Sequence, residues 1–296
     1  MSAQQSTQNS NKAWTVQSWK KLAHSQDDTF FRTKEARRVG DNILIFQRCT
    51  GGWPKNTDMA QLLNEETKAK ILKDKLRKDD STIDNDATTT QLLYLARLYQ
   101  QQPDEKYRAA FLQGMEYLLS GQYENGGWPQ FWPNPRGYQM HITFNDGAIV
   151  NTLNLIQDVM EQKKPYHHKL TDKKLRTKLK EAFNKGINCI LNTQIQQNGK
   201  LSIWCQQHDS QTLLPAPARA YELPSYCPSE SAGIVRLLMK LPNPNDRVKK
   251  AVHSAMQWFD TYKLTGLRIE RIMLEDGAWD TRLVTDSNSV PLWGRF

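Results

Sequence analysis

The chain has 296 residues, 38% of them hydrophobic and 24% charged, enough to build a sizeable folded core. No apolar run approaches the ~20 residues needed to span a bilayer, which excludes a membrane-embedded chain. Its 40 basic and 31 acidic residues give a net charge of +9, which favours polyanionic partners without choosing between nucleic acid and acidic polysaccharide.

The opening segment, MSAQQSTQNSNK, is polar and lacks the apolar stretch of a signal peptide. It suits either an intracellular protein or a mature terminus carrying an added Met. A first amphipathic run then ends in ILIFQRCTGGWPKN (43–56). The basic run Lys68, Lys70, Lys73, Lys75, Arg77 and Lys78 reads as the solvated face of an exposed helix. IDNDATTTQLLYLARLY (83–99) follows, with Leu92, Leu93, Leu95, Ala96 and Tyr99 at helical spacing. YLLSGQYENGGWPQF (117–131) repeats the first motif, and FNDGAIVNTLNLIQDV (144–159) repeats the second, with Ile149, Leu153 and Ile156 in register. Residues 160–172 read as a polar loop. CILNTQIQQNGKLSIW (189–204) and SESAGIVRLLMKL (229–241) give a third copy, and PNPN (242–245) is a turn. Past residue 262 the pattern becomes irregular and mixed.

Each copy joins an amphipathic run ending in Gln (Gln47, Gln122, Gln194), a polar turn and a Trp (Trp53, Trp128, Trp204). The Gln residues are nearly evenly spaced, and each period holds two helices. Gly51-Gly52 and Gly126-Gly127 suit a left-handed exit from a helix, and the Asn, Asp and Ser residues ahead of the returning runs suit N-caps. Three helix pairs without strand alternation predict an all-α, single-domain (α/α)3 toroid over 1–296, with inter-helix loops clustered at one mouth. The Trp turns and the acidic helix starts would then share a cleft, although a core role for each Trp is equally consistent with the pattern.

The mouth would gather Asp84, Asn85, Asp86, Thr88, Thr89 and Thr90, then Asn145 and Asp146, then Glu230. Clustered carboxylate and amide oxygens suit a hard cation such as calcium. They also suit paired-carboxylate glycoside chemistry, or simple helix capping, with Asp86 the plainest cap. The Pro-rich stretch 203–225 adds Trp204, His208, Arg219, Tyr221 and Glu222, side chains of the kind that collect on loops at an enzyme mouth. Arg219 and Glu222 could equally be an ion pair under an aromatic cover from Tyr221, and His208 a hydrogen-bonded structural residue. His167-His168 lacks supporting ligands for a metal. Cys49, Cys189, Cys205 and Cys227 show no CxxC spacing, which argues against structural zinc. One disulfide could form, with its connectivity open, and buried free thiols are the default.

GGWPKN (51–56), TIDNDAT (82–88), HITFND (141–146), WCQQH (204–208), ARAYELPS (218–225) and LWGRF (292–296) occur in one order across most of the chain. Together they resemble the motif series of the pectate lyases of polysaccharide lyase family 10. The resemblance implies an (α/α)3 toroid and calcium-dependent β-elimination on pectate (polygalacturonate). It implies Arg219 as catalytic base and Asp84 and Asp146 as calcium ligands. Lys55, Asn85 and Arg295 would bind substrate, as would His141 of HITFND and Tyr221 and Glu222 of ARAYELPS, with Trp53 and Trp128 facing the polysaccharide. It also implies a monomer outside the cytoplasm, secreted or periplasmic, with neither nucleic acid nor membrane as partner; this favours the mature-terminus reading of the opening segment. Family members continue past the WGRF motif, so a truncation at Phe296 is expected. The alternatives are a toroid glycosidase using Asp84 and Asp146, and a non-catalytic module that holds acidic polysaccharide through Trp53, Trp128, Lys55 and calcium.

Overall fold

A computed structural model describes residues 16–167 and 169–295. The polar opening segment, His168 of the His167-His168 pair, and Phe296 of LWGRF lie outside the described residues. The remainder is mostly helical: α1 (Val16–Ser25), α2 (Lys34–Phe46), α3 (Glu65–Asp74), α4 (Thr89–Gln101), α5 (Glu105–Ser120), α6 (Ala148–Met160), α7 (Lys173–Thr193), α8 (Pro228–Met239) and α9 (Asp246–Thr261). Among the described residues no helix is long and apolar enough to cross a membrane. The basic run begins on α3, with Lys68, Lys70 and Lys73 on the helix, and continues through Lys75, Arg77 and Lys78 beyond its end; Lys70, Lys73, Lys75, Arg77 and Lys78 face solvent.

Helices α4, α6 and α8 pack side by side in one row. Helices α2, α5, α7 and α9 form a second row, with α4 against α5, α6 against α7 and α8 against α9. The apolar spacing that predicts α4 and α6 buries Leu92, Leu95, Ile149, Leu153 and Ile156 in one continuous core.

The three-fold repeat is a hydrogen-bonding device. Trp53 Nε1 donates to Ile43 O at 2.8 Å, Trp128 Nε1 to Leu118 O at 2.7 Å, and Trp204 Nε1 to Ile190 O at 2.7 Å. Each acceptor lies in the last turn of α2, α5 or α7, and Ile43 O also accepts the N–H of the C-cap residue Gln47 at 3.1 Å. The Gln side chains then tie each turn to the next helix of the second row. Gln47 Nε2 reaches Gly51 O and Ala110 O, Gln122 reaches Gly126 O and Ala182 O, and Gln194 reaches Ser202 O and Ala251 O, all within 3.0 Å. Gly51 and Gly126 sit at φ of 92° and 91°, inside these turns rather than at the helix ends. A Cβ there would lie 2.4 Å from Gln113 O or 2.1 Å from Lys185 O, so nothing larger fits.

Capping follows a different rule from the expected one. Asn64, Asp104, Asp172 and Asn245 do cap α3, α5, α7 and α9, each side chain accepting a backbone N–H. The residues ahead of α4, α6 and α8 are Thr88, Gly147 and Cys227, and none forms a side-chain cap. Asp84, Asp86 and Asp146 instead lie in tight 3-10 turns, Asp84–Asp86 and Asn145–Gly147, just upstream of α4 and α6. Their carboxylates are therefore not used up as helix caps, which corrects the capping assignment for Asp86 and for its neighbours.

Short antiparallel pairs join the loops: β1 (Ile142–Thr143), β2 (Gln196–Gln197), β3 (Lys200–Leu201) and β4 (Gln207–His208). The β1–β4 pair clamps HITFND to WCQQH, with Ile142 opposite His208. The region past residue 262 is more regular than its sequence suggests. β5 (Leu267–Met273) and β6 (Trp279–Thr285) form a seven-pair hairpin, exposed on both faces, so its residues show no clear apolar alternation. The tail returns to the helices through Trp293, whose Nε1 donates to Phe259 O at 2.7 Å.

Candidate active site

The site is built where the 3-10 turns of the first two units pack together. Asp84 is buried, and its backbone N–H donates to Thr82 Oγ1 at 3.0 Å. Lys55 Nζ lies 2.5 Å from Asp84 Oδ2, and Gln130 Nε2 donates to the same oxygen at 2.9 Å. Oδ1 of Asp84 is buried with no hydrogen-bond partner. Asn85, Asp86 and Thr88 all take positive φ (51°, 60° and 65°). That conformation is costly for a β-branched Thr, and two bonds of Thr88 Oγ1 hold it, one from Trp53 N–H and one to Thr82 O.

Asp86 is an ion-pair hub. Lys20 Nζ sits 2.9 Å from its Oδ2, and Asn151 Nδ2 donates to its Oδ1 at 2.7 Å. Asp146, at φ 50°, projects into solvent beside Asn145, whose Nδ2 donates to it at 2.8 Å. Partial burial, then the charges of Asp84 and Asp86, raise the Asp146 carboxyl above the ordinary carboxylate range; Lys55 and Lys20 oppose them. Three aspartates and two lysines thus share one electrostatic neighbourhood.

The third unit completes the mouth. Arg219 donates from Nε to Glu222 Oε2 at 2.9 Å and from Nη2 to Oε1 at 2.5 Å. Its side chain is 71% exposed, and Asp146 lies within its electrostatic reach. This ion pair holds the Glu222 carboxyl at about 2 and pushes the Arg219 guanidinium further up. Arg295 donates to Ser225 Oγ at 2.9 Å and adds its charge to Glu222 and Glu230. Burial raises the Glu230 carboxyl, with Asp146 contributing in the same direction. His141, the residue just before β1, holds Nδ1 3.8 Å from Asp209 Oδ2 at the rim.

The pectic acid lyase family profile matches residues 47–296. The chain belongs to the pectic acid lyase family. A family 10 polysaccharide lyase from Cellvibrio cellulosa superposes with a TM-score of 0.76 at 33% identity, over 91% of this chain and 79% of that one. An aspartate-to-alanine variant of a family 10 lyase from the same organism, in complex with trigalacturonic acid, gives 0.77 at 30% identity, over 95% and 81%. No curated protein matches the chain. By these relationships the protein is a polysaccharide lyase.

Two residues expected to face the substrate of this lyase do not. Trp53 and Trp128 are fully buried, with both indole N–H groups spent on helix carbonyls, so they are core rather than sugar platforms. Tyr221 is 99% exposed and gives Arg219 no aromatic cover. His208 is a buried structural histidine. Its Nε2 accepts from Cys205 N–H, which places the proton on Nδ1 facing Leu213 O, and burial lowers it to about 4. His167 stacks on Tyr99, with ring centroids 5.9 Å apart. In this structure all four cysteines stand as free thiols, and Cys49 is exposed rather than buried.

Other contributors of the lyase site carry weaker sequence signals. Gln130 occupies the place in its GGWP repeat that Lys55 occupies in the first, and both bond one oxygen of Asp84. That equivalence could have found it. Lys20 belongs to α1, outside the matched family segment, and no motif announces it. A roomier polar cleft of about 530 Å³ lies at the far ends of α6 and α8, lined by Asn154, Gln157, Glu161, Lys163 and Lys240. It contains none of the expected site residues.

The donor set also bears on calcium. Among the described residues no three His, Cys, Asp or Glu side chains gather into a metal cage. What the mouth offers is oxygen chemistry. The orphaned Asp84 Oδ1 and the solvent-facing Asp146 carboxylate repel one another, and a cation would relieve both. These residues fit an open, hard-cation site with room for an outside oxygen ligand.

Proposed function

We propose that this lyase cleaves α-1,4-linked galacturonan by calcium-dependent β-elimination, leaving 4,5-unsaturated ends. The observation that supports the reading is electrostatic proximity: Asp146 feels the charge of Asp84, and the Arg219 guanidinium feels the charge of Asp146. The recurring Trp–Gln device supports a closed (α/α)3 toroid acting as one catalytic domain. The basic surface suits a polyanionic substrate met outside the cell by a monomer.

Asp84 and Asp146 would hold calcium, which supplies charge to offset the anion that develops when the C5 proton leaves. Lys55 and Asn85, both lining one narrow cavity, offer donors to a uronate carboxylate and hydroxyls. Arg295 extends that cationic wall past Ser225. Arg219 takes the C5 proton. Neutral guanidine near pH 9 lies some 3–4 pH units uphill, roughly 5 kcal/mol, and the Glu222 ion pair adds to that cost. The reactive state therefore requires Arg219 to leave Glu222, and its exposed side chain is free to swing. This predicts an alkaline rate optimum.

The test is to follow ultraviolet absorbance of unsaturated ends on polygalacturonate, with calcium and with a chelator. Absorbance that appears only with calcium is expected. New reducing ends without absorbance would mean hydrolysis, and binding without product would mean a carbohydrate module; either outcome rejects the lyase reaction proposed for this substrate.

A further inference from the structure

Cys205 and Cys227 bracket the loop that carries Arg219, Glu222 and Ser225. Their chain segments are adjacent, since Cys227 N–H donates to Trp204 O at 2.9 Å. Both sulfurs converge on one residue: Ser225 N–H donates to Cys205 Sγ at 3.4 Å, and Ser225 Oγ lies 3.5 Å from Cys227 Sγ. The two thiols lie close enough to perturb each other's titration. Both residues are buried. The other two cysteines stand elsewhere, Cys189 inside α7 and Cys49 at the surface with its sulfur near Arg77 O.

We propose that Cys205 and Cys227 form a disulfide that closes the 205–227 loop and fixes Arg219 and Glu222 over the mouth. The oxidant is a disulfide carrier, either a dithiol–disulfide protein or a small-molecule disulfide such as oxidised glutathione. The Cys205 thiolate attacks the carrier and expels one carrier thiolate; Cys227 attacks the mixed disulfide and expels the second. The protein loses two protons and two electrons, and the carrier leaves as two thiols. Cys205 is the suited attacker. The neighbouring Cys227 thiol, then the N–H groups of Gln207, Ser225 and Gln206, hold its thiol below the ordinary range despite burial. Because neither sulfur reaches solvent once the loop docks, exchange belongs to folding, and the finished bond is shielded from reductant.

The experiment is to refold the full chain in a glutathione redox buffer and, in parallel, under dithiothreitol. Free thiols are counted in guanidinium and the peptides mapped by mass. Of the four cysteines, two should stay free after oxidative refolding, with the peptides of Cys205 and Cys227 joined. Four free thiols, or a bridge through Cys49 or Cys189, would overturn the assignment. Thermal unfolding followed by circular dichroism should place the oxidised protein about 5–10 °C above the reduced one. Cys227→Ser should erase that gap, and equal midpoints for the two wild-type forms refute the loop-fixing role even if the variant fails to fold. Thiol count and unfolding use no substrate, so an inactive protein with an intact bridge would count against the proposed reaction alone.

Discussion

Trp53 and Lys55 stand two residues apart in one GGWPKN motif and belong to different parts of the molecule. Trp53 is sealed in the layer where indole and glutamine side chains finish the ends of α2, α5 and α7. Lys55 emerges on the mouth, its ammonium against Asp84. The buried layer is three-fold and nearly identical from unit to unit. The mouth is not: its first unit offers Lys55 and Asp84, its second Gln130 and Asp146, its third the Arg219–Glu222 loop. A repeated buried scaffold thus carries a mouth whose residues differ in each unit, and the chemistry comes from those differences.

The comparison breaks most sharply at Arg219. Arg219→Ala should lower kcat by about 10²–10⁴-fold, the usual range for losing a general base. Pectate binding should remain measurable and the unfolding midpoint should stay put, because the side chain is exposed and bonded only to Glu222. A variant that keeps substantial turnover removes Arg219 from the role. Trp128→Ala tests the other region. It empties a fully buried site and leaves Leu118 O without the indole, so about 3–5 kcal/mol of stability should go. Activity per folded molecule should hardly change; a large fall in kcat at full folding would put Trp128 back on the substrate.

His208 sits between the two regions, in the strand pair that joins HITFND to WCQQH. Its folded value of about 4 is below the ordinary 6.5, so the unfolded chain binds the proton first. Stability from this group is complete above pH 6.5 and drains away as pH falls toward 4, by roughly 3 kcal/mol in all. Urea unfolding at pH 7.5 and pH 4.5 measures the difference, and His208→Asn should flatten it. A wild-type difference that survives in the variant assigns the acid sensitivity to other groups.

Periodicity made the helix pairs legible, since α4 and α6 bury the Leu and Ile residues that the spacing selects. The electrostatic proximity of Asp146 to both Asp84 and Arg219 agrees with what repeat order and motif resemblance led one to expect. Burial was not. A Trp beside a Lys in a Gly-rich turn looks equally suited to stacking on sugar or filling a core, and only the helix-end carbonyl it meets decides. Nor could capping be read, because Asp and Asn ahead of a helix serve as caps at α5, α7 and α9 but are left uncommitted as caps at α4 and α6. The Lys20–Asp86 pair needed the tertiary packing of α1 on α4, which no local pattern encodes.

The smallest expected effect concerns Glu222, which the structure casts as a restraint on its neighbour. Its carboxyl, held at about 2, is ionised at every working pH, and its charge strengthens the Arg219 grip on a proton. Glu222→Gln removes that charge and keeps a hydrogen-bonding side chain of similar size. The guanidinium should then release its proton more readily. Since only the neutral form abstracts, kcat below the optimum should rise several-fold, and the rate profile should move toward lower pH. An unchanged profile with reduced kcat would mean that Glu222 aims the guanidinium instead of restraining it, and the paired orientation would then be the reactive one.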